Sequence, residues 1–193
     1  MPIPPDSLIL DRIGSPIGES LIVVDANGVL RAFNWVEYEP SVRSMLRACD
    51  GQASIVEGRA PQTVREAFES YFAGNIRALE GMAWAAGGTA FQLLVWRELC
   101  AIPAGETISY QQLAARIGRP RAVRAVGLAN GRNPVALRAP CHRVIGADRR
   151  LTGYGGGLDR KRWLLRHEGA SFREDAHVSF GGRSRVQPLF SLP

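Results

Sequence analysis

The sequence predicts an α+β protein, in which a small antiparallel sheet with a covering helix precedes a mostly helical, winged helix-turn-helix part that carries a candidate nucleophilic cysteine. Three observations predict it. Residues 1–87 contain short apolar runs parted by Gly, Pro and Asn turns, and residues 88–131 contain capped helices stopped by glycine. The charge also changes sign along the chain: 7 Arg face 11 acids in residues 1–87, whereas 12 Arg and Lys161 face only Asp148 and Asp159 in residues 116–166. The expected organisation is a domain over 1–87, a second over 88–170 and a flexible tail over 171–193.

Taking the elements in order, Ser7 to Ile13, Ser20 to Asp25 and Val29 to Trp35 read as strands. Gly14-Ser15-Pro16-Ile17-Gly18 and Ala26-Asn27-Gly28 are their turns, the Asn-Gly step being a strong hairpin signal. Pro61 at a first helical position, then Val64, Ala67, Phe68, Tyr71 and Phe72 at helical spacing with Gly74 as a stop, predict an amphipathic helix on one sheet face. The small, uncharged stretch Gly81 to Gly88 is the expected domain junction.

Thr89 with Gln92 forms a capping-box pattern and opens a helix over Ala90 to Cys100, ended by Ile102-Pro103-Ala104-Gly105. Ser109 with Gln112 repeats the device for a helix from Tyr110 to Ile117. After Gly118, Pro120 starts a third helix, Arg121 to Asn130, closed by Gly131. Helix, short glycine turn, helix is the helix-turn-helix pattern. Ala122, Ala125 and Ala129 lie along one side of the third helix near Gly127, with Arg121 and Arg124 at its start. Small side chains there fit either tight helix packing or close approach of a nucleic acid, and the flanking arginines favour the latter.

Pro140-Cys141-His142-Arg143-Val144 carries the chemistry. Cysteine attacks as thiolate, and a free thiol with a pKa of about 8.5 is mostly protonated at neutral pH, so it needs a base or a positive field. His142 and Arg143 offer both. On a strand, neighbouring side chains point to opposite faces, so Cys141 and His142 cooperate only in irregular backbone or through a bridging water. The basic segment is the electrostatic footprint of a polyanion partner, the alternative being a solvated face with acidic neighbours.

Composition excludes other classes. No apolar run approaches membrane-spanning length, and the start of the chain lacks signal-peptide regions, so a cytoplasmic protein without membrane contact is expected. Cys49, Cys100 and Cys141 form an odd set without paired spacing, against a disulfide framework or a Cys-rich zinc site. No metal and no cofactor are expected, and Cys49 and Cys100 read as structural.

The ordered set Phe91-Gln92, Val95-Trp96, Ile102-Pro103, Ser109-Tyr110, Arg124-Ala125-Val126-Gly127, Asn130, Asn133-Pro134, Pro140 to Val144, Gly153-Tyr154, Gly156-Gly157, Leu164-Leu165 and Glu168 resembles the O6-alkylguanine-DNA alkyltransferase family of direct-reversal repair proteins. The likeness is dense from Gly88 to Gly169; residues 1–87 match in layout only, and the tail from Ser171 has no counterpart.

The resemblance implies a ribonuclease-H-like sheet in the first domain and a single-use alkyl transfer from O6-alkylguanine, and from O4-alkylthymine, to Cys141. It implies His142 as base acting through water, Glu168 as its orienting carboxylate, Asn133 as the holder of the active-site turn and Tyr110 as proton donor to the leaving guanine. The base pocket would be Tyr110, Val144, Tyr154, Gly155 and Gly156. Arg124 would fill the place of a flipped base, with Arg121, Ala122, Ala125, Gly127 and Ala129 along the minor groove. Lys161 matches a family lysine near the active site, and equally suits a phosphate contact. The implied partner is double-stranded alkylated DNA, bound by a monomer, with cooperative assembly along DNA left open. Zinc-binding members use N-terminal Cys and His that this chain lacks. A lesion-binding protein without transfer, a thiol hydrolase and a plain DNA-binding regulator are the competing readings, and the presence of Cys141 argues against the first.

Overall fold

The computed structural model describes residues 7–50 and 54–174. Strands β1 (Ser7–Ile13), β2 (Ser20–Val24) and β3 (Leu30–Trp35) form the expected antiparallel meander, with Ile9 opposite Val24 and Ile22 opposite Phe33. The sheet is larger than the sequence reading, however. A 3-10 turn at Val36–Tyr38 leads into helix α1 (Glu39–Asp50), which crosses to a fourth strand, β4 (Ser54–Glu57), parallel to β1. The order is β3-β2-β1-β4, so the sheet is mixed rather than wholly antiparallel.

Two-residue alternation explains its burial. Leu8, Leu10, Leu21, Val23 and Ala32 point to one face and pack with Val42 and Leu46 of α1. Ile9, Ile13, Ile22, Val24 and Phe33 point to the other and pack with Val64, Phe68 and Tyr71 of helix α2 (Gln62–Phe72). Each such large side chain removed from water contributes about 1.5–3 kcal/mol. Because both faces are covered, Leu8 to Leu10 and Leu21 to Val24 read as unbroken apolar runs instead of alternating ones. Pro61 is the N-cap of α2 rather than its first residue.

Both capping boxes are present with both hydrogen bonds made. Thr89 opens α3 (Ala90–Leu99), and Ser109 opens α4 (Tyr110–Arg116). Helix α5 (Val123–Gly131) starts two residues later than expected and packs on α3 and α4. Two short strands, β5 (Ile108–Ser109) and β6 (Val144–Ile145), pair in parallel and tie the entry of α4 to the exit of the cysteine turn. Helix α6 (Leu158–His167) closes the fold.

The sheet reaches the cysteine segment directly. Phe33 N donates to Pro134 O at 2.9 Å, and Leu30 N to Ala83 O at 3.0 Å. One apolar cluster runs from Ile9 and Phe33 through Trp96 and Leu113 to Cys141, Val144 and Leu164. Ser171–Glu174, read as the start of the tail, is fastened: Arg173 N donates to Arg149 O at 2.8 Å, and Arg166 pairs with Glu174 at 2.5 Å. The rest of the expected tail, with Arg183-Ser184-Arg185, lies outside the described residues.

Candidate active site

Cys141–Arg143 form a 3-10 turn, the irregular backbone that a neighbouring Cys and His require. The turn is held from behind. Asn133 Nδ2 donates to Ala139 O at 2.6 Å while its Oδ1 accepts from Val135 N at 3.1 Å, and Asn130 Nδ2 donates to Cys141 O at 3.4 Å. Leu137 sits at φ 68 between these ties, a conformation costly for a residue with a Cβ that a rigid frame must impose.

Cys141 is 6% exposed and His142 is fully buried. Burial pushes the Cys141 thiol up, with Asn133 and Lys161 partly opposing it, so the resting group is a thiol. Burial likewise pushes His142 down against the pull of Glu168, which favours a neutral imidazole able to accept a proton. His142 Nε2 contacts Glu168 Oε1 at 2.9 Å, leaving Nδ1 buried with no partner among the described residues. A buried nitrogen without a partner beside a buried thiol is where one bridging water belongs.

Glu168 is the hub. It caps the C-terminus of α6, where exposed carbonyls disfavour an anion, and Gly169 at φ 70 turns the chain away. Arg143 compensates: Nε donates to Oε2 at 2.8 Å and Nη2 to Oε1 at 2.9 Å, while Nη1 holds Ile102 O. Tyr71 OH, from α2, donates to Oε1 at 2.7 Å. Burial raises this carboxyl, but His142 and Arg143 together hold it well below the usual carboxylate range. The sequence reading missed Tyr71, which showed only as a core position of α2. It also placed Arg143 beside the thiol; the guanidinium instead points at Glu168, and the cation acting on Cys141 is Lys161.

Lys161 is fully buried, its Nζ donating to Val144 O at 2.6 Å and Thr152 O at 2.9 Å, and burial lowers it to about 8. A lysine so enclosed meets no phosphate, which corrects that alternative and its place in the DNA-facing set. Ala129 is corrected too. It is 3% exposed, with its carbonyl accepting from Trp96 Nε1 at 2.8 Å, so it faces the core. Arg121, Arg124 and Ala125 are exposed, and Ala122 and Gly127 half-buried. Gly127 lies against the Tyr110 ring.

Tyr110 is half-buried next to this helix, its hydroxyl 3.5 Å from Thr152 Oγ1, and burial raises it so that the phenol keeps its proton at neutral pH. A small pocket at Cys141 is lined by Tyr154, Gly155, Gly156, Asn130 and Asn133, and by Asn34 and Trp35 of the sheet. Val144, wholly buried, and Tyr110, both expected in the base pocket, are not among its lining residues. Trp35 is a contribution that sequence reasoning did not find. Its ring lies so close to Gly156 that a Cβ there would collide with it, and Arg160 lies 4.7 Å over the same ring. Cys100 is half-buried against Trp96 O and Arg138 O, whereas Cys49 is exposed, packed near Gly87. Among the described residues no group of three or more metal-ligating side chains occurs, and no helix is long and apolar enough to cross a membrane.

Residues 90–170 match the family described as 6-O-methylguanine DNA methyltransferase, DNA binding domain. The chain is 44% identical over 164 residues to the methylated-DNA–protein-cysteine methyltransferase of Salmonella typhimurium, covering 84% of this chain and 96% of the relative. It is 42% identical over 166 residues to the protein of that name from Methanosarcina barkeri, covering 84% and 98%. The crystal structure of Mycobacterium tuberculosis O6-methylguanine methyltransferase superposes with a TM-score of 0.70 at 43% identity, covering 84% of this chain and 93% of that one. A structure of the M. tuberculosis protein in complex with DNA gives 0.70 at 40% identity, covering 83% and 92%.

Proposed function

The chain belongs to the methylated-DNA–protein-cysteine methyltransferase family, and from that premise we propose that Cys141 is the alkyl acceptor in a DNA repair reaction that reverses O6-alkylguanine directly. The observation that carries this assignment is a buried thiol beside a buried imidazole whose far nitrogen is anchored on a buried carboxylate. His142 Nδ1, through one water, takes the thiol proton; Cys141 Sγ then displaces the guanine oxygen from the alkyl carbon. One C–S bond forms and one C–O bond breaks. Tyr110 supplies the proton with which guanine departs as a neutral base. The thioether is stable, so each molecule acts once. Asn133 and Asn130 keep the cysteine turn in register, and Tyr154, Gly155 and Gly156 border the base.

An alkylated oxygen within a duplex is out of reach of a buried sulfur, so the nucleotide must rotate out, at a cost of a few kcal/mol. Exposed Arg124 and Ala125 at the start of α5 suit insertion from the minor groove, with Arg124 filling the vacated stack. O4-alkylthymine would be accepted by the same route. The protein acts as a cytoplasmic monomer on double-stranded DNA.

Intact-mass measurement after mixing with duplex carrying one O6-methylguanine tests the assignment. One methylene-sized gain on the Cys141 peptide is expected, and an unchanged mass despite tight lesion binding would make the protein a damage sensor. For Arg124→Ala, repair of duplex should slow about 10-fold or more, while transfer from the free modified base stays within about twofold, since only the first requires flipping. Equal losses on both substrates would remove Arg124 from that role.

A further inference from the structure

The relay carboxylate is shared by the two halves of the chain. Oε1 of Glu168 accepts from His142 Nε2 at 2.9 Å, from Arg143 Nη2 at 2.9 Å and from Tyr71 OH at 2.7 Å. Tyr71 is the shortest of the three contacts, comes from α2, and is 1% exposed. Its ring is located by the residue next to Glu168: His167 Nε2 lies 2.7 Å from Tyr71 O, the two rings are 5.3 Å apart, and Trp163 stacks on His167 at 4.6 Å. A phenol fixed so firmly on one carboxylate oxygen does more than fill the core.

We propose that Tyr71 is a positioning residue of the alkyl-transfer relay, whose hydroxyl withdraws negative charge from Glu168 Oε1 and thereby keeps His142 uncharged with Nδ1 open toward Cys141. The inference rests on the reading of His142 as base. Its electrostatics are simple. An oxygen that divides its charge among three donors stabilises an imidazolium less than one shared by two. Other groups also face His142: Glu168 and Lys161 from α6, Arg143 and Cys141 on its own turn, and Tyr154 from the glycine loop, whose ring lies 6.5 Å away. Burial opposes an imidazolium first, with Arg143 and Lys161 adding to it, and Glu168 is the group that favours it, so a change in that carboxylate's strength moves the balance. Tyr71 adjusts it without touching substrate.

The sign follows. Loss of the hydroxyl concentrates charge on Oε1, favours the imidazolium and moves the acid limb of the transfer rate to higher pH. In single-turnover alkylation of the full chain by duplex DNA containing O6-methylguanine, Tyr71→Phe should shift that limb upward by roughly half a unit to one unit. Transfer well below the parent's acid limb then falls about 3- to 10-fold, while at pH 8.5 it stays within about twofold. Placing 3-fluorotyrosine at position 71 alone strengthens the donor and should shift the limb downward, a reversal that no loss of packing produces. Should Tyr71→Phe fail to fold, the fluorinated protein still decides the matter. Rates lowered equally at every pH, or an acid limb unmoved in both variants, would overturn the role of Tyr71 while leaving His142 as base. A parent protein with no acid limb at all would overturn both.

Discussion

A Cys141→Ala protein takes up no alkyl group from O6-methylguanine duplex, yet binds that duplex with a Kd within about threefold of the parent, a difference below about 0.7 kcal/mol. The two halves of that outcome have separate physical origins. Alkyl uptake needs the sulfur at the start of the 3-10 turn, and no second thiol lines the pocket, whose other described lining residues are Asn34, Trp35, Asn130, Asn133, Ala136, Tyr154 and three glycines. Binding, by contrast, is expected to draw on phosphate contacts by the basic surface and on the exposed start of α5 proposed above, whereas Cys141 is 6% exposed. Folding should survive as well, since the turn is held through its backbone, Asn130 Nδ2 donating to Cys141 O and Asn133 Nδ2 to Ala139 O. The measurement pairs quantitative methyl transfer from labelled duplex with a binding isotherm. Residual stoichiometric uptake would mean that another residue is the acceptor, and a collapse of binding would mean that the cysteine shapes the DNA-facing surface.

The same turn keeps the resting thiol un-ionised. Burial disfavours the thiolate before substrate arrives, and it favours the neutral form of the neighbouring imidazole, the state that the proposed base requires. A resting thiol of this kind is protected from adventitious oxidation, which consumes thiolates first.

Much of this was legible in the chain, and what was not has identifiable causes. The capping boxes at Thr89 and Ser109 depend on residues three apart and are therefore readable locally. Cys141 and His142 announce themselves as neighbours. Helix α1 was missed because only Val42, Met45 and Leu46 mark its buried side among charged and small residues, although that spacing is a helical signal. Strand β4 is four residues long and lies at the sheet edge, where only Ile55 packs on the core beside α1, too little to impose an apolar pattern. Ala129 and Lys161 were misplaced for a shared reason: residue type suggested a surface partner, whereas position on a buried helix face decided otherwise. The link from Tyr71 to Glu168 spans 97 residues, and nothing in the local sequence distinguishes that tyrosine from an ordinary core residue.

Removing the hub should give a large loss of stability. Glu168→Ala leaves the Arg143 guanidinium, 7% exposed, with one carbonyl partner, and strands Tyr71 OH and His142 Nε2 in the interior. Breaking one side of a buried ion pair costs about 3–5 kcal/mol because the remaining charge is uncompensated. Urea unfolding at pH 7 should therefore move to a much lower midpoint, and transfer should fall with it. The pH dependence supplies a second signature. A carboxyl whose folded value lies well below its unfolded value of about 4.3 adds stability that is full above that pH and is lost as pH falls toward the folded value. The gap between parent and Glu168→Ala should hence narrow steadily below about pH 4. Adding Arg143→Met to Glu168→Ala should restore part of the loss, because an apolar chain replaces the stranded cation. A gap that is small at pH 7, or that ignores acid, would mean that Glu168 and Arg143 are solvated in the working protein and that the relay is held by packing alone.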